Sequence, residues 1–174
     1  MGSIIAIIGS FPSSCSRGRL QHIFRQGRGS EIVLNAHQVN QGLSPVVTPP
    51  GTPIQDFYFI HREDPADILS TIEEVVTKRV PERFGMDPRR ELQVLSPMRN
   101  GVIGVGNLND RLQALLNPTG MALNVGSVTF REGDRVMQIR NDYERGVFNG
   151  DTGFVARVDP KDRRLIVTVD GEPV

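Results

Sequence analysis

The sequence predicts an α/β segment, a parallel sheet covered by helices, followed by a small all-β barrel. Three observations lead there. Up to about residue 124 the pattern runs strand, helix, strand, glycine-rich loop, helix, an order that suggests parallel strands with helical crossovers. Beyond about residue 125 no helical period survives, only short alternating strands separated by turn residues. The pairs Asn149-Gly150 and Asp170-Gly171 then supply hairpin turns in that second part.

The elements follow in order. Residues 17–28 hold four arginines and no acidic residue. Ser30 opens a helix whose first turn carries Glu31, with Ile32, Val33, Ala36 and Val39 at helical spacing and Gly42 as its stop. Residues 43–53 contain four prolines and one glycine and read as a loop. Residues 56–61 (DFYFIH) read as a buried strand. Asp64-Pro65 starts a second helix with an apolar stripe of Ile68, Leu69, Ile72, Val75 and Val76, which Pro81 is expected to end. Residues 92–96 (LQVLS) read as another strand. Asn107 is expected to cap a third helix, its core face Leu108, Leu112, Leu115 and Leu116, ended by Asn117-Pro118. In the barrel, Val136, Met137 and Ile139 mark one strand, Phe154, Val155 and Val158 a second, and Leu165, Val167 and Val169 a third.

The totals exclude several classes. With 174 residues the chain can hold one ordinary domain, or one domain plus a small appendage. Formal net charge is zero, which argues against a protein that coats nucleic acid through bulk positive charge. The basic residues are nearly all arginine, with Lys78 and Lys161 the only lysines. Cys15 stands alone, so no disulfide framework exists, and His22, His37 and His61 lack ligand spacing; no metal site is expected from this chain. The apolar run at residues 4–8 is too short to span a bilayer, and the expected location is cytoplasmic.

Two motifs invite chemistry. The loop GVIGVGNLND at 101–110 lies between strand and helix but lacks the lysine-serine ending of a phosphate-cradling loop. A flexible βα connection and a backbone- or phosphate-contacting loop both remain open for it. Arg25, just before the first helix, stands where an arginine can reach a phosphate, although spacing alone favours an exposed structural role.

Three segments together carry a resemblance. IFRQGRGSEIVLNAHQVNQG at 23–42, LSPMRNGVIGVGNLNDRLQALLNP at 95–118 and FREGDRVMQIRNDYERGVFNGDTGFV at 130–155 closely resemble consecutive segments of RecD-like superfamily 1 DNA helicases, which include the alpha subunit of exodeoxyribonuclease V. Residues 1–18 match nothing clearly. The resemblance implies a partial second RecA-like lobe over 19–124 and an SH3-like barrel insertion over 125–174. It puts Arg25, with Gln26, at the helicase motif that reaches the ATP γ-phosphate. It also implies single-stranded DNA contacts from Ser96, Arg99, Asn107 and Asn109, and a barrel face of Arg140, Asn141, Tyr143 and Phe148 near the strand. ATP and Mg2+ are implied for a longer parent protein, with ATP held through a first lobe whose phosphate loop and acidic pair are absent here, so this chain alone is expected to be inactive and to hold no cofactor. Single-stranded DNA is the implied partner, nuclease-complex subunits are further candidates, and no membrane is implied. The competing reading is an autonomous barrel that binds nucleic acid or protein without motor activity.

Overall fold

The computed structural model describes residues 30–46, 56–169 and 171–173. The chain divides into two compact units, one covering residues 8–64 and one running from Pro65 onward.

In the first unit, α1 (Glu31–Asn40) begins as expected at Ser30, whose hydroxyl accepts from the Val33 N–H at 3.4 Å. Asp56 adds a tertiary cap: its carboxylate accepts from the Ser30 hydroxyl and, at 2.9 Å, from the Glu31 N–H. Burial pushes the Asp56 carboxyl upward, but the Ser30 hydroxyl and nearby backbone amides outweigh it and leave the acid below its ordinary range. The residue that α1 buries is not apolar: Asn35 is enclosed and takes the Val46 N–H at 2.6 Å, while Ala36 and Val39 face solvent. The predicted strand at 56–61 does not form. Tyr58, Phe59 and Ile60 are 46%, 46% and 43% exposed, because no neighbouring strand among the described residues gives this segment a ladder to join.

The second unit opens with α2 (Pro65–Glu74), which starts at the expected proline. Pro81 does not end the helix. Residues Val75–Arg79 widen into a π-helical turn in which the Val80 N–H reaches the Val75 carbonyl, and α3 (Val80–Phe84) continues to Gly85. The wider turn accommodates a residue that has no N–H to donate. Val76 is buried within this stretch, on the expected stripe. Residues 92–96 form no strand either, although Leu92 is buried; its carbonyl accepts from the Arg135 guanidinium at 3.2 Å, a side-chain contact in place of a ladder. The helix α4 (Val105–Leu116) is capped by Gly104 rather than Asn107, and Leu115 is exposed where the core face was expected to include it. A Cβ on Gly104 would lie 2.5 Å from the Asn100 carbonyl carbon, so only glycine permits this start.

All strand pairing among the described residues is antiparallel, so the predicted parallel sheet has no counterpart there. Strands β1 (Ala122–Val125) and β2 (Val128–Arg131) form a hairpin. Strands β3 (Arg135–Met137), β4 (Thr152–Asp159), β5 (Arg164–Val169) and β6 (Glu172–Pro173) form a four-stranded sheet in chain order. Gly171, at φ +91°, sits in the expected tight turn between Val169 and Glu172. Leu123, Val155 and Val158 make the core, with Val136 and Leu165 packed against it. Ile139 is not part of that core: β3 ends at Met137 and Ile139 is 74% exposed.

A polar knot joins α4 to the sheets. Asp134, in the β2–β3 turn, accepts from Gln113 Nε2 at 2.6 Å, Asn117 Nδ2 at 2.7 Å and the Arg131 N–H at 2.7 Å. Asn117 is buried and also donates to the Glu132 carbonyl at 2.9 Å. None of the described helices is long and apolar enough to cross a membrane. Replacing Asp134 with alanine removes one of the two acceptors from each of the Asn117 and Gln113 amides and the acceptor of the Arg131 N–H, and should cost about 2–4 kcal/mol in urea denaturation. A loss below about 1 kcal/mol would contradict the role given to this knot.

Candidate nucleic-acid interface

The most distinctive surface of the second unit is the excursion that leaves β3 at Met137 and returns at Thr152, which pair with each other. Asn149-Gly150 is therefore not a two-residue hairpin but the closing turn of a longer loop. Gly150, at φ +99°, donates to the Gln138 carbonyl at 2.8 Å, and the Gln138 N–H donates to the Asp151 carbonyl at 2.8 Å. The Asp151 carboxylate takes the Phe148 N–H at 2.7 Å.

Inside the loop, Asp142 and Val147 form an isolated antiparallel bridge, with N–H to carbonyl distances of 2.7 and 3.1 Å. Val147 is buried. The Asp142 carboxylate accepts from the Arg145 N–H at 3.2 Å and from the Arg145 guanidinium at 2.9 Å. The backbone hydrogen bond from Arg145 is the main cause that holds the Asp142 carboxyl below its ordinary range, with the Arg145 side chain and charge adding to it.

Asn141 clamps the two arms together. Its carbonyl oxygen accepts from the Asn149 N–H at 2.8 Å, and its amide donates to the Tyr143 hydroxyl at 3.2 Å. Tyr143 and Phe148 meet edge to face, 5.9 Å between centroids and 73° between planes. Yet Tyr143 is 78% exposed and Phe148 46%, and Ile139 lies beside them in sequence, also exposed. Arg140 is exposed and closes no ion pair among the described residues. A pair of exposed rings on the same loop as a guanidinium that closes no ion pair among the described residues is an arrangement that can stack on bases and meet phosphates.

The sequence-predicted residues thus fall into groups. Arg140, Asn141 and Phe148 share the excursion, joined by Tyr143; Asn141 has both polar groups engaged and acts by positioning. Ser96 staples the loop before α4, donating to the Ile103 carbonyl at 2.7 Å and accepting from the Met98 N–H at 3.2 Å. Asn107, inside the first turn of α4, donates to the Val102 carbonyl at 2.6 Å. Arg99 and Asn109 are exposed on that loop and helix. Arg25 and Gln26 lie outside the described residues. Sequence reasoning missed Asp134 and Gln113, which hold the platform; a polar side chain at a helical position facing an acidic turn is their only signal. Among the described residues no group of histidine, cysteine and carboxylate side chains could hold a metal ion.

Short antiparallel strands around a small apolar core, fastened to a helix and carrying one long displayed loop, define a compact β-module of the SH3-like kind. Residues 108–169 match the family described as the ATP-dependent RecD-like DNA helicase SH3 domain. The chain is also 42% identical over 83 residues to the ATP-dependent RecD2 DNA helicase of Deinococcus radiodurans. That match covers 48% of this chain and 11% of the relative. Residues 108–169 are thus similar to the SH3 domain of RecD-like helicases, and that match begins at Leu108, on the same helix that the polar knot ties to the sheet.

The pH response of the loop follows from Asp142. Because its native acid strength is raised, the carboxylate stabilises the Asp142–Val147 bridge fully above the ordinary carboxylate range, and that contribution is lost as pH falls through the lowered native value. Amide exchange of Val147, corrected for its intrinsic pH dependence, should accelerate on acidification in the wild type and be pH-independent in Asp142→Asn. Equal behaviour of the two would refute the assignment.

Proposed function

We propose that the chain is part of an ATP-dependent 5′-to-3′ DNA helicase of the exodeoxyribonuclease V alpha type, acting in DNA repair and recombination. The observation that carries this reading is the coincidence of the family match with a module that displays Tyr143, Phe148 and Arg140 on one loop. In this reading residues 19–124 belong to the second RecA-like lobe, whose parallel sheet is completed by strands elsewhere in the parent protein, and residues 125–174 are its SH3-like insertion. Single-stranded DNA passes the excursion, where the rings stack on bases and Arg140 meets a phosphate. Arg99 and Asn109 face the strand from the loop and helix that Ser96 and Asn107 hold in shape.

ATP with Mg2+ supplies the free energy of translocation in the whole protein. Arg25, with Gln26, contacts its γ-phosphate from this lobe, and a first lobe holds the rest. The chain alone is catalytically incomplete. Residues 131–174 hold eight basic and nine acidic residues, so the barrel positions a strand rather than clamping it electrostatically. Association with nuclease-complex subunits and a cytoplasmic location belong to the same proposal. The other reading, a barrel that binds without a motor, is favoured by the self-contained packing of the β-module around Leu123, Val155 and Val158.

Two measurements test this. Tyr143→Ala with Phe148→Ala should weaken single-stranded DNA binding by about tenfold or more, the scale of losing one stacked base, with little change in salt dependence. Unchanged affinity would remove the excursion from the DNA path. Arg25→Ala in the intact protein should abolish ATP turnover and leave DNA binding in place; near-normal turnover would sink the motor assignment and favour the binding module.

A further inference from the structure

The excursion occupies one end of β4; the other end carries a different chemistry. Strand β4 finishes at Asp159, which pairs with Arg164, and residues 160–163 turn between them. Arg157, Lys161, Arg163 and Arg164 are all exposed here. Residues 157–164 hold four basic and two acidic side chains, whereas the excursion at 138–151 holds two basic and three acidic. The cationic end of the module is therefore the β4–β5 turn, roughly 20 Å along the strand from the aromatic pair.

Of the two acids here, Asp159 is turned inward and Asp162 is exposed. The Asp159 carboxylate accepts from the Lys161 and Asp162 N–H groups at 3.0 and 3.2 Å, an arrangement that shapes the turn. Among the described residues none of Arg157, Lys161, Arg163 and Arg164 closes an ion pair. A second, independent observation is Arg163 itself. At φ +52° it is the non-glycine residue with positive φ among those described, in a conformation that glycine adopts without strain. A side chain kept at such a position at a cost in strain points to a use for that side chain.

We infer that the β4–β5 turn is a second nucleic-acid contact, one that holds the phosphate backbone of duplex DNA. This rests on the nucleic-acid reading proposed above and adds a partner strand to it. The choice of duplex follows from what the turn lacks. Surfaces for single strands combine cations with aromatic platforms, and residues 156–164 contain no aromatic side chain. Cations without rings, on a convex turn, suit sequence-independent contact with backbone phosphates. The module then meets single-stranded DNA at one end of β4 and duplex at the other.

The test uses the intact protein and labelled single-stranded, duplex and forked DNA of equal length, titrated over a range of salt. Two variants serve: Arg163→Gly, which removes the charge and relieves the backbone, and the double change Lys161→Gln with Arg164→Gln. Duplex and fork binding should weaken for all sequences alike, with the slope of log affinity against log salt falling by about one unit for each cation removed. Single-strand affinity should be unchanged, and Arg163→Gly should not lower Tm. An unchanged duplex slope in variants whose parent binds DNA would overturn this inference alone, as would an equal loss on single-stranded DNA. Absence of DNA binding by the unaltered protein would overturn the nucleic-acid reading, and this inference with it.

Discussion

The Asp134 carboxylate is the point on which the second unit depends. It gathers a helix side chain, a helix-capping side chain and a turn amide within 2.6–2.7 Å. The same turn continues into the sheet, since the Val155 N–H donates to the Asp134 carbonyl at 2.9 Å and the Gly133 N–H to the Val155 carbonyl at 2.8 Å. Next to it, the Glu132 carboxylate takes the Val158 N–H at 2.9 Å, close to the irregularity between Val155 and Arg157. Val155 and Val158 are the most enclosed apolar residues of the core. One turn therefore sets helix position, sheet irregularity and core register together. A core this small gives little apolar burial, so satisfied buried polar groups carry an unusual share of the specificity.

The sequence disclosed what local chemistry determines. Ser30 and Pro65 begin helices because capping and proline geometry act within a few residues, and Gly171 turns a hairpin for the same reason. It misled where structure depends on a distant partner. DFYFIH has every strand preference and yet joins no ladder among the described residues, because strand propensity records fit to a neighbour rather than an intrinsic state. Pro81 was expected to end a helix, but a π-helical turn absorbed the missing donor, and nothing in the residue types marks that choice. Asn117-Pro118 reads as a mere helix stop; its tie to Asp134 crosses elements and leaves no periodic trace.

The candidate site divides along the same line. Asn149-Gly150 announced a turn, correctly, but its place at the end of a long excursion depends on the Asp142–Val147 bridge and on the Asn141 clamp. Arg140, Asn141 and Phe148 could be singled out because aliphatic packing left them unexplained. What the sequence could not disclose is the division of labour among them: Asn141 engages both its polar groups within the loop, while Arg140 and the rings face outward.

That division is the opposite of an ordinary surface loop, whereas the far end of β4 displays charged side chains in the usual way. At a typical solvated turn, polar side chains project into water and apolar ones tuck beneath. Here Asn141, Asp142 and Asp151 bond backbone or near neighbours while Ile139, Tyr143 and Phe148 are displayed. At the far end Asp159 bonds backbone while Lys161, Arg163 and Arg164 are displayed. Turning the hydrogen-bonding groups inward stiffens each loop without using the groups it shows. Rings held in a fixed pair lose less freedom on meeting a base than mobile ones do, and unpaired arginines need break no internal ion pair to meet a phosphate. Both ends of β4 are thus held in shape by hydrogen bonds within the chain, and the eight-residue strand between them sets their spacing.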